Sequence, residues 1–401
     1  MTADPPNRRT AWPSNLEARR AHGLAEVARI APVLEASVLE AQERGYLTDA
    51  AVEALRNSGV LGIMTPDDLG GNEVDPVTAF LIVEALGRID PSTAWTSTIL
   101  LEGAGQLATQ LHADMAEKLF GGRLPLKAGS LKPGNAERVD GGYRLSGQWD
   151  FVSGIHHADW VSAAFLVEVD GETQRRSALI PTSEVTILDA WQVLGMRATG
   201  STAFTLDDCF VPDDLIFNPM SGARRTDTRL ARLGMVPYVL QMHSGMVLGA
   251  ARRALDEIRD MAPTKRRGSR INIGTSNALS EESWFQREFG ELDARVRAAR
   301  ALAIETNQKV HERLVAGEPM DLELHDTMQT ASSLAGRTAN DAIVRCYRFA
   351  GAEAIREGHV LGRLLRDINT VLAHGVLGEV GFEMHGEFVL GLQTPETRRM
   401  I

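Results

Sequence analysis

Four short stretches of this chain carry side chains able to do chemistry. The first starts at Gly129-Ser130-Leu131-Lys132-Pro133-Gly134-Asn135-Ala136, passes an Asp140-Gly141-Gly142 turn, and ends in Trp149-Asp150-Phe151-Val152-Ser153-Gly154. A small hydroxyl followed by glycine lets the backbone approach a flat ligand and offers it N–H and O–H donors; the same residues also suit a plain strand end. The second is Arg197-Ala198-Thr199-Gly200-Ser201, which could bind an anion or carbonyl or simply turn between strands. The third holds Arg363, Arg366 and Asp367, read as helical ion pairs, with His374 seven residues beyond the aspartate and so near the same helical face. A lone helical histidine is commonly a satisfied surface or core residue, and a catalyst in the other case. The fourth is the basic run at 264–270 with Lys265, Arg266, Arg267 and Arg270. It is either a solvated charge run or a phosphate clamp, for which guanidinium forks are suited.

These residues must be positioned by three blocks of different texture. From about residue 16 to 120 the pattern is helical: Leu24, Val27, Ala28, Ala31, Leu34 and Leu39 keep roughly a 3.6-residue period. Thr48 and Asp49 announce a second helix, residues 77–89 form a third, and Ser92 is expected to cap a fourth that carries Trp95. Between 129 and 219 the chain turns to short alternating segments separated by turns such as Val139-Asp140-Gly141-Gly142, which predicts six to eight strands. Beyond residue 238 come long helices over 242–261, 284–316, 322–350 and 360–384, with a loop over 263–279. Such bundles often continue across subunits, which predicts a homo-oligomer.

Composition narrows the functions. The chain of 401 residues carries a formal charge of -11, which disfavours nucleic acid and anionic membranes as partners. Two cysteines, Cys209 and Cys346, fit a reducing cytoplasm and small apolar packing roles. No run of apolar residues is long enough for a transmembrane helix. The pair His156-His157 has no further ligand at useful spacing, so no metal site is expected. Walker and Rossmann glycine patterns are absent, so there is no separate nicotinamide-binding fold.

The order of helical block, β-domain and helical bundle resembles the acyl-CoA dehydrogenase fold over nearly the whole length. Residues 129–154 are similar to that superfamily's flavin-contacting strand. They resemble more closely the branch of reduced-flavin monooxygenases sharing the fold, which act on hydroxyphenylacetate, a steroid-derived phenol, dibenzothiophene, polyketide quinone precursors and amino sugars. Dehydrogenases carry a Thr-Glu pair and a Gly-Ser-Asp run before the hairpin; this chain has Ser130-Leu131-Lys132-Pro133-Gly134-Asn135-Ala136, as in the monooxygenase branch, and Ile155-His156-His157-Ala158-Asp159-Trp160 also matches that branch. Gly195-Met196-Arg197-Ala198-Thr199-Gly200-Ser201 is similar to a family turn lining the flavin and substrate region, with Ala198 where glycine is usual. The dehydrogenase glutamate, eight residues after the aspartate, is replaced by Gly375, and the monooxygenase histidine falls at His374. Some dehydrogenases take the base from a mid-chain helix, but residues 241–251 contain no carboxylate.

The resemblance implies an α+β fold: an N-terminal helical domain (1–125), a central β-barrel or sandwich domain (126–235) and a C-terminal four-helix bundle (236–401). It implies the oxygenase component of a two-component flavin monooxygenase. Reduced FMN or FAD would come from a separate flavin reductase, and O2 would react through a flavin C4a-(hydro)peroxide to hydroxylate an aromatic or polyketide-like substrate. Alternatives are an N-oxygenase of an amine or amino sugar, an acyl-CoA dehydrogenase with a relocated base, and a non-catalytic scaffold. His374 and Ser153 are the expected catalytic residues. Trp149, Phe151, Ser153, Arg197, Thr199, Ser201, Arg266 and Arg267 are the expected flavin contacts. Trp95, Glu102, Ser130 and His157 are expected at the substrate, with Glu102 able to pair with an amine. A cytoplasmic homotetramer is the expected assembly.

Overall fold

The computed structural model describes residues 12–219, 225, 232–233, 235–266 and 277–392. The N-terminal block contains α1 (Leu16–Arg44), α2 (Asp49–Asn57), α3 (Pro76–Ile89), α4 (Pro91–Gln110) and α5 (Ala113–Phe120). Its helices begin where short polar side chains satisfy the free N–H groups of the first turn. Asn15, Thr48 and Asp75 accept from the N–H of Ala18, Ala51 and Thr78. For α4 the cap is Asp90, accepting from Thr93 N–H at 2.9 Å, with Pro91 in the first helical position. Ser92 was expected in that role; proline at N1 shifts the start two residues upstream and leaves Ser92 buried inside the first turn.

The β-domain has seven strands: β1 (Lys127–Val139), β2 (Gly142–Trp149), β3 (Trp160–Val169), β4 (Glu172–Pro181), β5 (Thr186–Ile187), β6 (Phe204–Pro212) and β7 (Ile216–Phe217). They form one sheet in the order β5-β6-β2-β1-β3-β4-β7. The long β1 joins its two halves. Lys127 to Gly134 runs parallel to β3, and Asn135 to Val139 pairs antiparallel with β2. Both halves close on one core that includes Leu145, Trp149, Val161, Phe165 and Phe204.

The C-terminal helices are α6 (Met235–Met261), α7 (Ser283–Ala316), α8 (Leu322–Ala350), α9 (Val360–Val371) and α10 (Val380–Val389). Phe80, Val83 and Leu86 of α3 share a core with Met246, Val247 and Ala250 of α6, so the two helical blocks pack as one body. The helix expected over 360–384 is broken. It stops at Leu372, and Gly375–Leu377 forms a separate short turn before α10. Ser332 and Ser333 of α8 donate to the carbonyls of Val376 and Gly378, which holds the break in place. His374 therefore lies past the end of α9 rather than on the Asp367 face of one long helix.

Candidate active site

The break in the last helical segment, the start of β1 and the middle of α4 meet around a cavity of about 800 Å³. Its wall is mostly apolar (Ile99, Ala128, Leu131, Val193, Val239, Val371), with a few polar groups pointing in. That size and composition match a small-molecule site. Phe151 and Trp191 stand at the wall, ring edge to ring face at 6.4 Å, and Phe151 is 76% exposed. A large uncovered aromatic at a cavity edge is a surface that a flat ligand can cover. Asp150 is held beside it by Lys132 and Gln148, whose hydrogen bonds lower its pKa.

A directed relay of hydroxyls runs along one side. Trp95 Nε1–H donates to Ser153 Oγ at 2.9 Å, Ser153 and Ser201 hydroxyls are 2.6 Å apart, and Ser201 and Thr199 are 2.7 Å apart. Thr199 gives its proton to the Met196 carbonyl at 2.8 Å. Each hydroxyl has one proton, so the direction is determined: Trp95 to Ser153 to Ser201 to Thr199 to Met196. Ser153 is thereby left with acceptor capacity toward the cavity.

Met196 anchors this relay in a backbone conformation that side chains rarely adopt, at φ 55°. Its N–H donates to Asp367 Oδ1 at 2.6 Å, and its carbonyl also accepts from Trp191 Nε1 at 3.2 Å. Gly195 lies so close to α9 that a Cβ would collide with the Arg366 carbonyl. Asp367 is buried, which with the nearby Asp90 carboxylate raises its pKa to about 7. Asp367 and the Arg366 backbone of α9 thus hold the turn that carries Thr199 and Ser201, while Arg363 faces Asp90 at 3.4 Å.

On the other side Trp95 meets two imidazoles edge to face, His243 at 4.7 Å and His374 at 5.1 Å, and these two rings lie parallel at 5.9 Å. Burial lowers both pKa values; for His243, burial and the neighbouring His374 bring it to about 3. Both are neutral at pH 7. His243 Nδ1–H donates to the Val239 carbonyl at 2.8 Å, which leaves its buried Nε2 as an acceptor without a hydrogen-bond partner.

At a third point Glu102 of α4 and Lys127 of β1 enter the same cavity. Lys127 Nζ donates to Ser162 Oγ at 3.1 Å, and Glu102 Oε1 is 3.8 Å from His243 Nδ1. Burial pushes the Lys127 ammonium down to about 8 and the Glu102 carboxyl well up, each opposed by the charge of the other. Gly103 makes this meeting possible: a Cβ there would strike the Lys127 carbonyl and hold α4 away from β1.

Comparison with known families follows the same division of the chain. The description "Acyl-CoA dehydrogenase, N-terminal domain" matches residues 26–113, and "Acyl-CoA dehydrogenase, C-terminal domain" matches residues 241–379. The chain belongs to the acyl-CoA dehydrogenase family. Among curated relatives it is 25% identical to indole-3-acetate monooxygenase of Pseudomonas putida, covering 88% of this chain and 90% of the relative. It is 27% identical to the flavin-dependent monooxygenase oxygenase subunit HsaA of Rhodococcus jostii, covering 91% and 97%. Among solved structures it resembles XiaF from Streptomyces sp. in complex with FADH2 and glycerol, with a TM-score of 0.87, 26% identity and coverage of 95% and 98%.

Within this acyl-CoA dehydrogenase frame the residues singled out in the sequence divide. Ser153, Thr199, Ser201, Phe151, Trp95, Glu102, Ser130 and His374 all line the cavity. Trp149 does not: its indole is stacked on Phe204 in the sheet core and donates to the Ala164 carbonyl. Arg197 is exposed, because its turn buries Met196 and Thr199 on either side of it. His157 packs beside Tyr46 outside the cavity, with burial lowering its pKa to about 4. Arg266 is exposed and bridges to Ala278, and Arg267 lies outside the described residues. Lys127 and His243 were missed. A lysine opening a strand and a histidine inside a helix carry no signal until the fold turns them inward.

The lining suits a flavin. The cavity is large enough for a tricyclic ring, its edge is aromatic, and it offers both acceptor and donor positions through Ser153, Ser130 and the Lys127 head. Asp150 and Glu102 are the carboxylates among the described lining residues, and neither is on the α9–α10 segment where the dehydrogenase glutamate would stand.

Proposed function

We propose that this chain is the oxygenase component of a two-component flavin-dependent monooxygenase that hydroxylates a small aromatic or polyketide-like substrate. Reduced FMN or FAD is delivered by a separate flavin reductase. The observation that carries this reading is the cavity wall. Neutral His374 stands beside Gly375, where thioester dehydrogenation would require a carboxylate base, and the Trp95–Ser153–Ser201–Thr199 relay of the same cavity contains no carboxylate. Curated relatives named as oxygenases support it, including HsaA and the FADH(2)-dependent resorcinol hydroxylase of Rhizobium sp., 29% identical over 68% of this chain.

The bound reduced flavin supplies the two electrons with which one atom of O2 enters the substrate and the other leaves as water. Phe151 and Trp191 would hold the flat ring, Ser153 would accept a hydrogen bond from it, and the apolar wall would keep bulk water out. His374, neutral at pH 7, accepts a proton from a substrate hydroxyl. The enzyme works as a cytoplasmic homotetramer, since long helical bundles of this kind often continue across subunits. Rapid mixing of the protein–reduced-flavin complex with O2 tests the reading. Flavin reoxidation must depart from that of free flavin in proportion to bound protein, and a trace identical to free flavin would overturn it. One observation favours a dehydrogenase with a relocated base: Glu102 is a cavity carboxyl whose pKa is raised. Lys127 beside it competes for that carboxylate, which makes it a poor free base.

A further inference from the structure

The buried pair of Glu102 and Lys127 has no part in the chemistry described above. It is nonetheless placed with care. Both side chains open into the cavity, on different elements, brought together by the close approach at Gly103. Lys127 is 6% exposed and spends one donor on Ser162, and Glu102 keeps 13% of its side chain open. Isolated buried ions are costly, and a structural ion pair is better placed at a surface. A perturbed, mutually dependent pair inside a cavity marks a functional position.

The hydrogen-bonding inventory determines what this pair can take. As an ion pair, in which the Lys127 charge favours the ionised Glu102 that burial opposes, Lys127 only donates and Glu102 only accepts. A ligand group that bridges them must accept from one and donate to the other. A hydroxyl does both. A carboxylate has no proton for Glu102 and would be pressed against it, and an ammonium has no lone pair for Lys127 and would be pressed against that cation. The remaining titratable groups at this end are His243 and His374, which are neutral, so neither reverses the balance. Lys132 and Asp150, also in the wall, are paired with each other.

We propose that Lys127 and Glu102 are the specificity-determining residues of the cavity, anchoring a ring-bearing substrate by an un-ionised hydroxyl and rejecting acid and amine analogues of the same shape. The inference rests on the reading of this cavity as the reaction site and adds the substrate's polar group. It also replaces the amine expected for Glu102 with a hydroxyl.

Calorimetric binding to the flavin-free protein at pH 7 tests it with three probes sharing one ring: 2-naphthol, 2-naphthoate and 2-(aminomethyl)naphthalene. Wild type should bind the naphthol at least about tenfold more tightly than either ion, the size of one unfavourable charge contact. Glu102→Gln should move the preference toward naphthoate, and Lys127→Met toward the amine, each by about tenfold or more. If a variant fails to fold, the wild-type ranking decides alone. An ion preferred by wild type, variants that leave the ranking unchanged, or no binding of any probe at millimolar concentration would each overturn the proposal. The flavin–oxygen test above does not depend on this ranking, so the two ideas can fail separately.

Discussion

Replacing Lys127 by methionine should make the protein more stable at neutral pH and less dependent on pH. The ammonium is brought from 10.5 down to about 8 by burial, only partly offset by Glu102. At about 1.4 kcal/mol per pH unit, that gap corresponds to about 3 kcal/mol of folding free energy forgone while Lys127 is charged. The unfolded chain holds the proton up to 10.5 and the folded one only to about 8, so between those values the unfolded state binds more protons. Wild-type stability must therefore rise across this window, with the full penalty below pH 8 and none above 10.5. Methionine is close in volume and brings no charge, and Glu102 can answer by taking up a proton. Thermal unfolding midpoints of wild type and Lys127→Met between pH 7 and 10 isolate this group by difference. At about 1 °C per kcal/mol for a chain of 401 residues, the variant should melt about 3 °C higher at pH 7, and the gap should close toward pH 10. A gap that is constant in pH, or a variant less stable at pH 7, would refute the reasoning.

Other outcomes follow from the same geometry. Trp95→Phe removes the N–H that opens the hydroxyl relay; losing that bond costs about 1 kcal/mol, and reduced-flavin Kd should rise about fivefold in anaerobic fluorescence titration. An unchanged Kd would separate the relay from flavin binding. His374→Ala should keep reduced-flavin affinity but release hydrogen peroxide in place of hydroxylated product, and unchanged coupling would reduce His374 to packing. Asp367→Asn should flatten the acid limb of stability. The wild-type carboxyl titrates from 3.8 unfolded to about 7 folded, so the folded state binds more protons in that window and stability falls as pH rises through it. Melting curves from pH 4 to 8 would show this slope in wild type and not in the variant.

Much of the site was legible in the sequence because it is built from contiguous runs. Ser153 lies at a strand end and Thr199 and Ser201 sit in one turn, so local pattern was enough to bring them forward. The long helices were equally plain, since α8 shows its amphipathic period over Leu322–Ala350. What escaped was decided by partners far away in sequence. Trp149 looks like a ligand wall until Phe204 and Phe165 bury it in the sheet core. Arg197 faces outward because Asp367, more than a hundred residues later, holds Met196 inward. The end of α9 at Leu372 has no proline to announce it and depends on α8 serines capturing the Val376 and Gly378 carbonyls. Lys127 becomes a cavity residue only because Gly103 admits α4.

This acyl-CoA dehydrogenase frame serves reduced flavin and oxygen rather than thioester oxidation. An anaerobic titration with reduced and oxidised FMN and FAD, followed by addition of an acyl-CoA thioester, addresses it most directly. Reduced flavin should bind more tightly than oxidised flavin, and the thioester should not bleach the oxidised form. Tightly held oxidised FAD that an acyl-CoA thioester bleaches would contradict it and return Glu102 to the role of a relocated base.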